Sequence, residues 1–284
     1  MILDGKVVAA LLKQRLKDYI DESVGTGARR PHLVIISVGD DPASKVYVRN
    51  KMKAAEEVGI EVDHLVYDSN ENPQRVMDYI DMLNYADRVD GIMVQLPLPK
   101  GWDERAIIDS ISPAKDVDGL TTINIGHLRS GQDCFIPCTA KGIMDLLRYY
   151  NIEVDGKDVT IIGRSNIVGK PLADIMMAEG ATVTQCHSHT SDVRFHTLPA
   201  DIVVSAIGKP KFIGRGYIGH ERVVIDVGIN RDEEGRLCGD VDFEAVQDEC
   251  YAITPVPGGV GPMTVAELMV NVTIAWKKNN YKGE

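Results

Sequence analysis

No window of this sequence approaches the roughly 20 consecutive apolar residues that a membrane-spanning helix requires. The first apolar run, Val7 to Leu12, is broken by Lys13. It has neither a basic segment before it nor a small-residue cleavage site after it, so it reads as an amphipathic helix and no signal peptide is expected. An excess of positive charge is also missing, since the formal net charge is −11. A nucleic acid or an anionic membrane wants a basic face, and neither is expected as a partner. An anionic small ligand would need a local basic pocket or a helix N-terminus to receive it. The five cysteines (Cys134, Cys138, Cys186, Cys238 and Cys250) are an odd count without a C-x-x-C pair. They read as reduced thiols in a cytoplasmic protein. A metal site at Cys134 and Cys138 would lack a second pair of suitably spaced ligands, so no metal is expected.

What is present suits a globular α/β protein. At 284 residues the chain is long enough for two domains, and 44% hydrophobic with 26% charged residues is an ordinary composition for a packed core. Strand-like runs at 32–39, 60–67 and 90–96 alternate with helical patterns, and a second series follows at 159–163, 181–186, 201–208 and 222–228. Such alternation predicts parallel sheets flanked by helices. The reading is two α/β domains with a cleft between them, the second a Rossmann-like doubly wound parallel sheet. The first would span 1–140 and be joined by the C-terminal helix, about 264–284. The second would span 141–263.

The segment GRSNIVGKP (163–171) lies between a strand-like run and a helix-like run, where a dinucleotide-binding unit carries G-x-G-x-x-G. Ser165 replaces the second glycine and the spacing is Gly163, Ser165, Gly169. A nucleotide cradle of a different make and a plain tight turn are both open from this string alone.

The helix in DDPASKVYVRNKMKAAEEVG has Asp41 as its N-cap, Pro42 in its first position and Gly59 at its end. At about 100° per residue, Tyr47, Val48, Met52, Ala54, Ala55 and Val58 share one arc, and Lys51 falls inside it. An inward lysine must be paired, snorkel to an edge or change its protonation behaviour, so it is either a stem along the core or a catalytic proton donor and acceptor. Gln95 stands near the carboxyl end of a buried strand, before Pro97 and Pro99. Ligands of open parallel sheets bind at that edge. Asp116 and Asp118 occupy the turn-like PAKDVDGL, where aspartates beside a glycine serve turns or ligands.

Seven segments then occur in order: YVRNK (47–51), GIMVQLPLP (91–99), KDVDG (115–119), IIGRSNIVGKP (161–171), CHSHT (186–190), VIDVGIN (224–230) and TPVPGGVGPMT (254–264). Together they span nearly the whole chain, and the sequence closely resembles the bifunctional methylenetetrahydrofolate dehydrogenase/methenyltetrahydrofolate cyclohydrolase family. The resemblance implies NADP-dependent oxidation of 5,10-methylenetetrahydrofolate, followed by hydrolysis of the methenyl product to 10-formyltetrahydrofolate. It implies Lys51 as the acid/base of the hydrolytic step, with Gln95 orienting it. Asp118 would grip the pterin edge and Tyr47 would stack on the aminobenzoate ring. Gly163, Arg164 and Ser165 would meet the cofactor, and Ile229 would touch its nicotinamide side. Pro257, Gly258 and Gly259 would form a mobile turn at the substrate. A homodimer is implied by the resemblance alone.

In NAD-binding units an acidic residue about 20 residues past the loop holds the ribose 2′-hydroxyl. Here the following strand ends in Cys186-His187-Ser188-His189, without a carboxylate. Arg164 and Ser188 are then candidates for a 2′-phosphate, which favours NADP. Two other readings stand beside this one: an NAD-linked dehydrogenase with little hydrolysis, and a catalytically idle folate- or nucleotide-binding protein. A formyltetrahydrofolate synthetase activity is not expected at this length. Ala140 replaces a proline frequent in the family after PCT (137–139), and LTTIN departs from many relatives after KDVDG.

Overall fold

The computed structural model describes residues 1–280. It contains two compact units, each described here by itself. The N-terminal unit is Ala10–Cys138 together with the chain from Val265, and the central unit is Met1–Ala9 together with Thr139–Thr264. The expected first domain therefore differs in its opening nine residues. Leu3 donates its N–H to Ile253 O at 2.9 Å, Ile253 donates to Met1 O at 3.0 Å, and Ile2 bridges Ile253 in parallel. That ladder draws the extended start of the chain to the sheet edge of the central unit.

The elements of the first half are α1 (Gly5–Gly25), β1 (His32–Val38), α2 (Pro42–Val58), β2 (Glu61–Tyr67), α3 (Pro73–Tyr85), β3 (Gly91–Val94), α4 (Glu104–Asp109) and α5 (Thr122–Arg129). The strands form a parallel sheet in the order β2-β1-β3. In β1, Leu33 and Ile35 point to a core shared with Val48, Ala55 and Val58 of α2 and with Trp276. Val34 and Ile36 point the other way, to Val76 and Ile80 of α3 and Ile107 of α4. Because both faces are covered, the strand reads as a continuous apolar run with no polar alternation.

The second half contains α6 (Cys138–Tyr149), β4 (Asp158–Ile162), α7 (Gly169–Ala178), β5 (Thr182–Cys186), α8 (Arg194–Thr197), β6 (Ile202–Ser205), β7 (Val223–Asp226), β8 (Asn230–Arg231), β9 (Leu237–Cys238), α9 (Phe243–Val246), β10 (Ala252–Ile253) and α10 (Val260–Asn280). Five parallel strands run β10-β7-β6-β4-β5, and β8 and β9 form a separate antiparallel hairpin. Counted within the unit, the strand order is 2-1-3-4-5, a doubly wound arrangement whose direction reverses between β4 and β6. Loops leaving those two strands at their carboxyl ends surround the switch point, where open α/β sheets take ligands.

Candidate functional site

The N-terminal unit gathers a lysine, a glutamine and an aspartate at one edge of its sheet. Helix α2 starts as its sequence dictates, with Ser44 N–H donating to Asp41 Oδ2 at 2.7 Å, and ends on Gly59 at φ 84°. Its buried residues are Val48, Lys51, Ala54, Ala55 and Val58. Lys51 thus takes a core position, 8% exposed, whereas Met52 at the margin of the same arc is 36% exposed. Tyr47, one turn before Lys51, is half-buried, and burial raises its phenol above the ordinary value.

Gln95 is buried just past β3 and still belongs to the ladder, donating its backbone N–H to Ile36 O at 2.8 Å. Its side-chain Nε2 donates to Leu96 O at 2.7 Å, which turns Oε1 toward Lys51. The Lys51 ammonium donates to that oxygen at 3.1 Å and lies 3.3 Å from Met93 Sδ. A cation with one amide and one thioether as its nearest acceptors keeps donors available for another ligand.

The two aspartates of KDVDG separate cleanly. Ile92 N–H donates to Lys115 O at 2.8 Å and Ile92 bridges Asp116 in parallel, so this segment runs alongside β3. The approach is so close that a Cβ on Gly91 would lie 2.7 Å from Val117 Cγ1. Asp116, 1% exposed, accepts from Leu120 N–H, from Thr121 N–H at 2.8 Å and from Asn124 Nδ2 at 2.8 Å. It holds the turn. Asp118 is set free of that duty by Gly119, whose φ of 71° and approach to Phe135 O leave no room for a side chain. Loss of hydration pushes the Asp118 carboxyl up, the Lys51 charge pulls it back, Asp116 adds to the rise and the Cys138 thiol opposes it. Lys51 and Asp118 are therefore electrostatic neighbours, and Met93 and Cys138 join them without any local sequence signal.

In the central unit the loop after β4 is fixed by backbone approach. Gly163 has φ 123°, donates its N–H to Cys186 O at 2.9 Å, and a Cβ there would stand 2.4 Å from Ala206 O. A Cβ on Gly169 would meet Gly163 O at 2.3 Å. Ser165 stands in the missing glycine's place and closes the turn ahead of α7: its Oγ accepts from Val168 N–H at 3.2 Å and from Gly169 N–H at 3.4 Å. Pro171 lies in the first turn of that helix. Arg164 is exposed and, among the described residues, makes no side-chain hydrogen bond or ion pair. Ser188 is exposed in the turn after β5, which is closed by His187 N–H donating to Thr190 Oγ1 at 2.9 Å. The β4 and β5 ends are register neighbours, Ile162 opposite Cys186, so Arg164 and Ser188 leave adjacent strands at the same sheet edge.

Of the remaining expected residues, Ile229 lies beside the segment that follows Pro257–Gly259: a Cβ on Gly261 would stand 3.9 Å from its Cδ1. Ile229 is 46% exposed just after β7. Pro257 is exposed in a turn of the central unit, while Gly258 and Gly259 are buried. There Lys6 N–H donates to Gly258 O at 3.2 Å and Gly259 N–H to Pro255 O at 2.8 Å. Sequence reading missed a buried acidic pair, Asp226 and Asp240, although an aspartate closing the apolar run RVVID was a visible anomaly. Among the described residues no cluster of three or more His, Cys, Asp or Glu could hold a metal ion, and no helix is long and apolar enough to cross a membrane.

The family model described as tetrahydrofolate dehydrogenase/cyclohydrolase, catalytic domain, matches residues 3–118, and the NAD(P)-binding domain of the same family matches 137–280. The bifunctional protein FolD of Agathobacter rectalis is 48% identical over 98% of this chain and 99% of its own length. The crystal structure of FolD from Campylobacter jejuni superposes with a TM-score of 0.96 at 43% identity, covering 98% of this chain and 99% of that one. A Trypanosoma brucei FolD complexed with NADP cofactor and inhibitor gives 0.93 at 36% identity, over 99% and 98%.

Proposed function

Because the chain belongs to the tetrahydrofolate dehydrogenase/cyclohydrolase family, we propose that the buried Lys51 and Gln95 and the partly exposed Asp118 work as one folate site, and its Gly163–Ser165 loop as the NADP cradle. The enzyme is bifunctional: it oxidises 5,10-methylenetetrahydrofolate with NADP and hydrolyses the methenyl product to 10-formyltetrahydrofolate. The single observation that carries the site reading is the Lys51 Nζ to Gln95 Oε1 contact of 3.1 Å on a helix face that is otherwise apolar.

Lys51 serves the hydrolytic step. Water must lose a proton as it adds to the methenyl carbon, the ring nitrogen must gain one as its bond to that carbon breaks, and the remaining hydroxyl proton leaves to solvent as the formyl C=O forms. A lysine tethered by Gln95 at a fixed place can exchange the first two. Gln95 is the positioning residue, since its own amide is held by Leu96 O. Asp118 binds the pterin edge, where a carboxylate pairs with a ring N–H and an amino group. Tyr47, half-buried one turn before the lysine, gives the aminobenzoate ring a face to stack on. We place Pro257, Gly258 and Gly259 at the substrate as well, on the resemblance alone.

The residues of the central unit fit NADP. Gly163 and Gly169 let the loop backbone close against Ala206 O and Gly163 O, where any side chain would collide, and the β5 end offers no carboxylate to repel a 2′-phosphate. Arg164 and Ser188 supply donors for that phosphate, and Ile229 an apolar contact for the nicotinamide. When bound, the cofactor accepts the hydride from the methylene carbon.

We infer a homodimer in the cytoplasm. In the single chain β5 is a sheet edge, whereas Ile2 covers the β10 side, so β5 is the strand left for a second copy. The free thiols suit a reducing compartment. Light scattering on the purified protein tests the dimer, and a monomer mass removes it.

The decisive assay supplies methylenetetrahydrofolate with NADP⁺ or NAD⁺ and follows methenyl absorbance before and after acid. Product with NADP⁺, much of it appearing only after acid re-closes the formyl compound, is the expected result. Methenyl product alone would remove the hydrolytic role of Lys51.

A further inference from the structure

The central unit contains two buried carboxylates outside the residues named above. Asp240 is fully buried and accepts four hydrogen bonds. Its Oδ2 takes Ser205 Oγ at 3.1 Å and Ile207 N–H at 2.8 Å. Its Oδ1 takes Lys209 N–H at 2.8 Å and Asn230 Nδ2 at 2.9 Å. One side chain thereby ties the loop leaving β6 to the residue that follows Ile229. Asp226, 3% exposed, carries the tier beneath. It accepts from Gly228 N–H at 2.9 Å, Asp240 N–H at 2.9 Å and Val241 N–H at 2.8 Å. The carboxylates occupy space that only glycine leaves: a Cβ on Gly228 would meet Asp240 Oδ1 at 2.2 Å, and one on Gly239 would meet Asp226 Oδ2 at 1.8 Å.

Two loops beside the sheet's switch point thus depend on a single anion. We propose that Asp240, seated by Asp226, is a positioning residue for hydride transfer. It sets the β6 loop and the Val227–Asn230 loop so that Ile229 holds the nicotinamide end of the cofactor in its reactive pose. This rests on the reading of the unit as the NADP site. A carboxylate is required because four donors converge on it, and no neutral side chain accepts from four donors. Asp240→Asn turns an amide NH₂ toward one of those donor pairs and opens one side of the tie.

The test uses the whole enzyme and three variants: Asp240→Asn, Asn230→Ala and Arg164→Ala. Oxidation kinetics with NADP⁺ are measured beside cofactor-free hydrolysis of methenyltetrahydrofolate, whose proposed acid/base pair, Lys51 and Gln95, lies in the N-terminal unit. Asp240→Asn is expected to lower the kcat of oxidation by at least about tenfold, with hydrolysis and the KM for NADP⁺ changed by less than about threefold. Asn230→Ala, which removes one of the four partners, follows in the same direction by about threefold and decides the matter if Asp240→Asn does not fold. Parallel loss of both activities in Asn230→Ala, or an unchanged oxidation kcat in both variants, overturns the proposal. If Arg164→Ala weakens NADP⁺ while the other two leave oxidation untouched, only the positioning role fails. If all three leave NADP⁺ use untouched, the cofactor reading fails with it.

Discussion

The two units assemble polar groups in opposite ways. In the N-terminal unit the groups proposed for the folate site are side chains set among apolar neighbours: Lys51 on the core face of α2, Gln95 at a strand end and Asp118 near them, its carboxyl raised by loss of hydration. In the central unit the loop after β4 is drawn by backbone, with Gly163 and Gly169 fixing the path and Arg164 and Ser188 standing in solvent. The difference suits the tasks proposed for them. Proton transfer needs a few groups whose protonation responds to desolvation, while a long anionic cofactor needs many N–H donors and an open approach.

The contrast breaks most sharply at Lys51. Lys51→Met keeps the stem and removes the charge, so hydrolysis should fall by about 10²–10⁴-fold in the methenyl absorbance assay. NADP binding, measured by fluorescence, should be unchanged. Retained hydrolysis would remove the lysine from its role.

Asp226 shows what desolvation does where no catalysis is asked of the group. Burial raises its carboxyl from 3.8 to about 7, against three backbone N–H donors that lower it and the Asp240 charge that adds to the rise. Between these values the folded chain holds a proton that the unfolded chain has released. The group's stabilising contribution is thus complete below about pH 4 and lost as the pH rises through about 7. Asp226→Asn, neutral throughout, should lack that slope. Urea titrations should show the native protein losing stability relative to this variant by up to about 4 kcal/mol from pH 4 to 7. A constant difference across that range would mean that Asp226 is ionised throughout.

On the backbone side, Gly163→Ala meets both a φ of 123° and a carbonyl oxygen 2.4 Å away. A cost of about 3 kcal/mol is expected. It should appear as lost NADP binding by calorimetry, with cofactor-free hydrolysis retained. Arg164→Ala sharpens the comparison with the smallest effect. Loss of a charged contact of about 2 kcal/mol should weaken NADP roughly thirtyfold and leave NAD unchanged. Equal weakening of both would move the 2′-phosphate elsewhere.

Much of this was legible in the sequence where the deciding physics is local. All seven strand-like runs are strands, because β-branched stretches bounded by glycine and aspartate have few other uses. Asp41, Pro42 and Gly59 delimit α2, and the helical wheel brings Lys51 inward. The rest depends on contacts between distant positions. Asp116 and Asp118 look alike in KDVDG, and it is the hydrogen bonds from Leu120, Thr121 and Asn124 that assign Asp116 to the turn. Ser165 reads as a defect in a glycine motif, yet its hydroxyl holds the turn that leads into α7. The acidic tier of Asp226 and Asp240 joins residues 14 positions apart through a hairpin that no periodicity announces.

The first strand-like contacts of the chain have a consequence for synthesis. Leu3 pairs with Ile253, and the Met1 amino group donates to Tyr251 O at 2.7 Å across 250 positions. Trp276, fully buried, completes the other core from the last helix. At about 5–20 residues per second, a ribosome leaves the opening segment waiting roughly 12–50 s for its partner. Neither unit can close until Ile253 and Trp276 have been made, so a nascent chain stalled after α6 exposes an unfinished core in one unit and an unpaired leading segment destined for the other.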